Sequence, residues 1–123
     1  MAKFIYYNIN PLGKEEDDCV CRAISLATNT PYHITKYKLN LIADLLDCDM
    51  LCLCCYEHLI EDIYKCIPIK CKNLTVGEFA DLHPYGIYLV RMEGHISVII
   101  DNTIYDIWNC RDENITKSWL VSE

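Results

Sequence analysis

The sequence predicts an α+β fold in which N-terminal helices pack on a C-terminal antiparallel sheet. Three observations lead there. Apolar residues recur at helical spacing across much of residues 19–65. Residues 87–108 divide into three short β-branched runs, two of them joined by Asp101-Asn102, a hairpin signal. Helices come first and strands last, an order that favours α+β over an alternating α/β fold. At 123 residues the chain reads as a single domain, 1–123. A chain of this size buries roughly two-thirds of its unfolded surface, so it needs no staples.

The elements follow in order. Residues 3–8 are β-branched and aromatic and suit a strand. Residues 9–18 hold Pro11, Gly13 and the run Glu15-Glu16-Asp17-Asp18, and read as a loop. Asp17 or Asp18 is placed to cap a helix over 19–28, which Asn29-Thr30-Pro31 breaks. Ile34, Tyr37, Leu41 and Leu45 mark a helix over 31–46. Leu51, Cys54, Cys55, Leu59 and Ile63 mark another over 50–65, which Pro68 is expected to end. Thr75 and Glu78 form a capping box for a short helix. Strands are expected over 87–92, 95–101 and 103–108, with a last one over 117–122.

Composition excludes several classes. A net charge of −7 repels phosphate backbones and anionic lipid surfaces, so neither nucleic acid nor membrane is an expected partner. There is no apolar run of about 18 residues, so no membrane span is expected. Nine cysteines is an odd count, and the first residues lack the apolar core of a signal peptide. The thiols therefore read as reduced, in a cytoplasm, and mostly as small buried hydrophobes.

One arrangement points to chemistry. Cys19 falls where a helix should begin, and a helix tip favours a thiolate through its free N–H groups and dipole. Asp17 and Asp18 work against it, because carboxylates raise a thiol pKa. His95 follows Gly94 at the start of an otherwise apolar strand. If Asp101 and Asn102 are the two turn residues, Ile100 lies opposite Thr103 and His95 opposite Trp108. Asp106 is then a diagonal neighbour of His95 on the same face. A slip of one residue would move it to the other face. Cysteine, imidazole and carboxylate in this order suit a nucleophile (Cys19), a base (His95) and an orienting acid (Asp106), with Asn109 as the alternative orienter. Cys21 is a rival nucleophile, but two helical residues place it on another side, further from the helix tip.

Asp18-Cys19-Val20, Arg22-Ala23-Ile24-Ser25, Thr75-Val76-Gly77-Glu78-Phe79, Gly94-His95 and Tyr105-Asp106 with Trp108 resemble small phage and prophage proteins of papain-like fold. They are more distantly similar to the cysteine peptidases that process bacteriocin leaders. The resemblance spans residues 8 to 109. It implies a papain-like domain with Cys19 as nucleophile, His95 as base and Asp106 as orienter. It also implies an oxyanion donor shortly before the cysteine, usually a glutamine. This sequence has no glutamine, and Asn10 and Asn8 are the amides on offer, beside the Cys19 N–H.

Two functions from different classes are expected. One is a cytoplasmic hydrolase of a peptide, isopeptide or amide bond, which needs no metal or cofactor and takes a protein or peptide substrate. The other is a phage-encoded binding protein on the same fold that blocks a host protein, for which the missing glutamine and the acidic surface argue. A third pattern, Cys48, Cys52, Cys54 and Cys55 with His58, and Cys66 with Cys71, has the residue types of a zinc site. It lies within an apolar periodic segment and its second pair is poorly spaced, so a thiol-rich core is the expected reading and no metal is assigned. Arg22 reads as a salt-bridge residue, and Trp108 as core or as a wall of the cleft.

Overall fold

The computed structural model describes residues 2–13 and 18–123. The capping role expected of Asp17 falls outside the described residues. Strand β1 (Lys3–Tyr6) precedes helices α1 (Cys19–Thr28), α2 (Tyr32–Leu46) and α3 (Leu53–His58), the last running into a π-helical turn, Leu59–Ile63. Then come β2 (Ile67–Ile69), α4 (Val76–Leu82), β3 (Ile87–Met92), β4 (His95–Ile100), β5 (Thr103–Asp106) and β6 (Ile115–Ser122). The six strands form one sheet in the order β1-β5-β4-β3-β6-β2.

The class is α+β, but the sheet is mixed rather than antiparallel. β1 runs parallel to β5, with Tyr6 opposite Asp106, while the other neighbours are antiparallel. The expectation of an antiparallel sheet rested on the hairpin-linked strands at the C-terminus. β1 comes from the other end of the chain, and no turn ties its direction to that of its neighbour.

The β4–β5 register is the one the turn residues predict. Val98 lies opposite Tyr105, Ile99 opposite Ile104 and Ile100 opposite Thr103. Asp101 and Asn102 both take the left-handed conformation, φ 47° and 63°, as a two-residue turn of type I′ requires. The Asp101 side chain also accepts a hydrogen bond from the Gly86 N–H at 2.8 Å, which ties the turn to the start of β3. At the other end of the β3–β4 hairpin, Gly94 turns the chain with φ 73° directly before His95.

Alternation along the strands sends side chains into two cores. Ile96 and Val98 of β4 join Val20, Ile24, Leu39, Leu59, Ile60 and Trp119 beneath the helices. Ile99 joins Val76, Phe79, Val90, Met92 and Ile104 on the opposite face, under α4. Each fully buried Leu or Ile contributes about 1.5–3 kcal/mol, so the helix-side core holds α1 firmly across β4.

Local signals set the helix ends. Asn29 adopts φ 54° and closes α1, with Thr30 N–H bonded to Ser25 C=O at 2.9 Å. Thr75 Oγ1 accepts from Glu78 N–H at 3.2 Å, and Glu78 Oε1 accepts from Thr75 N–H at 2.9 Å, completing the capping box. Two expectations are corrected. Pro68 does not end the third helical stretch; Lys65, at φ 60°, marks its end, and Pro68 sits within edge strand β2, where a missing N–H is tolerated. The apolar positions Ile34, Tyr37, Leu41 and Leu45 of α2 are exposed, and the buried stripe is Tyr32, Thr35, Leu39, Ile42 and Ala43. Both stripes have helical spacing, and packing against α1 and α3 selects one of them.

Candidate active site

Cys19 is the first residue of α1, and its neighbour Asp18 is the N-cap. The Asp18 side chain does not cap the helix. It turns inward, where Oδ2 accepts hydrogen bonds from Tyr32 Oη at 2.6 Å and Asn10 Nδ2 at 3.1 Å, and Oδ1 pairs with Arg22. The Asp18 carboxylate is thus paired with a buried guanidinium one helical turn away.

The first N–H groups of a helix have no intrahelical partner. Cys19 is half-buried, and two hollows meet at it. One is a narrow slot of about 10 Å³, lined on the sheet side by Ile96, Ser97, Tyr105 and Asp106. The other is a pocket of about 230 Å³ bounded by Val20, Leu51, Tyr56, Arg91, Gly94 and His95.

His95 and Asp106 stand at the end of the β4–β5 hairpin away from its turn. His95 Nε2 and Asp106 Oδ2 are 2.6 Å apart. Asp106 is held in turn by the Ile107 N–H, which donates to Oδ1 at 2.7 Å, and by Arg22 Nη2 at 3.8 Å from the same oxygen. With Nε2 committed, Nδ1 is the ring nitrogen left for the Cys19 thiol, which lines the same pocket and helps to raise the His95 pKa. The Trp108 indole meets the imidazole edge to face, with centroids 5.1 Å apart, and so restrains the ring from the solvent side.

Burial alone would disfavour an imidazolium here. The hydrogen bonds and charges of Asp106 and Cys19 outweigh it and hold His95 well above the ordinary histidine value, at about 9. Burial alone would also push the Asp106 carboxyl up, but the His95 hydrogen bond and charge bring it below the usual carboxylate range. Both shifts describe one ion pair, with the proton on the imidazole.

The structure therefore brings together Cys19, His95 and Asp106. It does not bring the other candidates into the cleft. Asn10 is buried with its Nδ2 on Asp18, while its Oδ1 accepts from Leu12 N–H at 2.9 Å. Asn8 is half-buried, and its Oδ1 accepts from Asn10 N–H at 3.0 Å. Asn109 is exposed and caps the following turn through Arg111 N–H at 3.3 Å, while Asp106 holds the imidazole. Cys21 is fully buried against the Tyr32 carbonyl, and burial pushes its thiol up to about 11, which leaves it an inert core residue.

Three side chains of the site region escape sequence reasoning. Cys110 packs beneath the pair, and the ligand atoms of His95, Asp106 and Cys110 all lie within 4.8 Å of one another. Burial, then the Asp106 charge, pushes the Cys110 thiol up to about 12. A thiol kept protonated is a poor metal ligand, so the cluster suits a hydrogen-bonded pair better than a cation. Tyr56 and Arg91 enter the larger pocket from α3 and β3, positions that no spacing rule connects to Cys19.

The cysteine-rich segment divides. Cys52 and Cys54 are exposed with sulfurs 3.0 Å apart, while Cys55 is buried against the Leu39 carbonyl. His58 pairs with Asp62 at 2.7 Å rather than with Cys54. Cys66 and Cys71 enter the cores on opposite faces of the sheet, so they cannot share an ion. Among the described residues, no helix is long and apolar enough to cross a membrane. Compared with family models, curated proteins and solved structures, the chain matches none.

Proposed function

We propose that this chain is a small papain-like cysteine hydrolase that cleaves a peptide, isopeptide or amide bond in a cytoplasm, where its thiols stay reduced. The observation that carries this reading is the chain of contacts from Cys19 through His95 to Asp106, with 2.6 Å between imidazole and carboxylate. A helix tip in front and an antiparallel hairpin behind, in the chain order Cys, His, Asp, support the papain-like assignment.

The chemistry follows from the proton's position. His95, held as an imidazolium to about pH 9, sets a positive charge beside the Cys19 sulfur, which attacks as a thiolate. The thiolate attacks the scissile carbonyl carbon, and the Cys19 N–H at the helix tip faces the developing oxyanion. The C–N bond breaks as the imidazolium gives its proton to the leaving amine, leaving a thioester on Cys19. The neutral imidazole then takes a proton from water, whose oxygen attacks the thioester. The C–S bond breaks, the acid departs and the ion pair is restored. Asp106 remains ionised throughout and keeps Nδ1 turned toward the sulfur.

The test is incubation of the reduced protein with a mixed library of linear and isopeptide-linked peptides, read by mass spectrometry. Cleavage is expected, and it disappears in Cys19→Ala. Cleavage that survives in Cys19→Ala contradicts the proposal.

A second reading is a binding protein on the same fold that blocks a host factor without catalysis. One observation favours it: both polar atoms of the Asn10 amide are engaged inside the protein, which removes it as an oxyanion donor. Full biological function in Cys19→Ala distinguishes this reading from the first.

A further inference from the structure

We infer that the pocket beside Cys19 binds a carboxylate through Arg91, so that the substrate of the hydrolase proposed above carries an acidic group next to its scissile bond. The inference rests on that reading and names its substrate class.

Arg91 lies on β3, half-buried, on the wall of the 230 Å³ pocket that also holds Cys19 and His95. Its Nε donates to Tyr56 Oη at 2.6 Å and its Nη1 to Thr116 Oγ1 at 2.9 Å. Both partners are neutral. Among the described residues no carboxylate comes within 4.0 Å of its guanidinium, and none of the residues lining the pocket is acidic. Two other cations near the helix-side core are matched to carboxylates: Arg22 with Asp18, and Lys117 with Glu57 and Glu61 at 2.6 and 3.0 Å. Arg91 is oriented without being neutralised.

The rest of the pocket is apolar: Val20, Leu51 and Ile96, with the Tyr56 ring. Its volume of about 230 Å³ leaves room for a side-chain-sized group. A carboxylate there gains charge-assisted hydrogen bonds from a donor already fixed by two partners. The carboxylate has two possible sources, an acidic side chain or a chain terminus.

The probe pair is iodoacetate and iodoacetamide, near-isosteric alkylating agents that differ in one charge. The protein's net charge of −7 repels iodoacetate in general, so a preference for it at one thiol has a local cause. The quotient of the two rates, resolved by mass spectrometry, cancels any general change in thiol reactivity. At Cys19 the quotient is expected to exceed that of exposed Cys52 and Cys54 by about tenfold, the scale of one charge-assisted contact. It falls to their level in Arg91→Gln and is largely retained in Arg91→Lys. A quotient no higher than theirs, with rapid iodoacetamide labelling of Cys19, overturns this inference and leaves the hydrolase reading standing. A high quotient unchanged in Arg91→Gln assigns the attraction to the His95 imidazolium and also overturns it. Slow labelling of Cys19 by both reagents overturns the hydrolase reading and this inference with it. Protection of Cys19 from iodoacetamide separates the sources: acetyl-glutamate amide offers only a side-chain carboxylate, and acetylglycine only a terminal one, against acetyl-glutamine amide as control. Protection by neither acid above the control overturns the inference.

Discussion

His95 Nε2 lies 2.6 Å from Asp106 Oδ2 because the Asp101-Asn102 turn sets the register of the hairpin that carries both. Ile100 opposite Thr103 fixes every later pair, and Asp106 falls on the diagonal from His95. The geometry of the site is thus a consequence of two residues that tolerate positive φ some distance away.

Asp106→Asn removes the charge that holds the proton on His95. Its titration midpoint, followed through the ring resonances by NMR, falls from about 9 toward the ordinary value of 6.5. A midpoint that stays near 9 assigns the shift to something other than Asp106.

The same shift makes stability depend on pH. His95 binds its proton more tightly folded, at about 9, than unfolded, at 6.5. Its contribution is therefore complete below pH 6.5 and is lost as pH rises through 9. Urea unfolding at pH 6, 7.5 and 9 should show the native protein losing stability across that window, with a shallower loss in His95→Asn. Equal slopes refute the linkage.

Arg22 balances Asp18 from within the core. Arg22→Met strands a buried carboxylate and is expected to cost about 3–5 kcal/mol in chemical denaturation. Adding Asp18→Asn recovers part of that loss. A single variant as stable as the native protein shows the pair to be dispensable.

Thr75→Ala removes half of the α4 capping box on the face of the sheet opposite α1. A loss of about 1 kcal/mol is expected in the same assay. Cys19 alkylation is unaffected, because no contact of Thr75 reaches the cleft. A changed alkylation rate would couple the two faces of the sheet.

The legible parts of this structure are those with local causes. Asn29 closes α1, the Thr75–Glu78 box opens α4, and the Asp101-Asn102 turn aligns β4 with β5; each acts over a few residues. What the sequence concealed depends on packing. α2 carries two apolar stripes, and only its neighbours decide that Leu39 and Ile42 go inward while Tyr37 and Leu45 face solvent. β1 pairs in parallel with a strand from the far end of the chain. Asn10 has the right chemistry for an oxyanion donor but is captured by Asp18. Arg91 and Tyr56 reach the pocket from separate elements whose meeting no spacing in the sequence announces.

The proposed hydrolysis requires His95 to activate Cys19. Iodoacetamide labelling of the native, reduced protein from pH 5 to 9, resolved by site with mass spectrometry, measures that activation. Fast alkylation of Cys19 is expected to persist below pH 7 and to be lost in His95→Ala, while buried Cys21, Cys55 and Cys110 react slowly. Slow alkylation of Cys19, or a rate indifferent to His95, would contradict it.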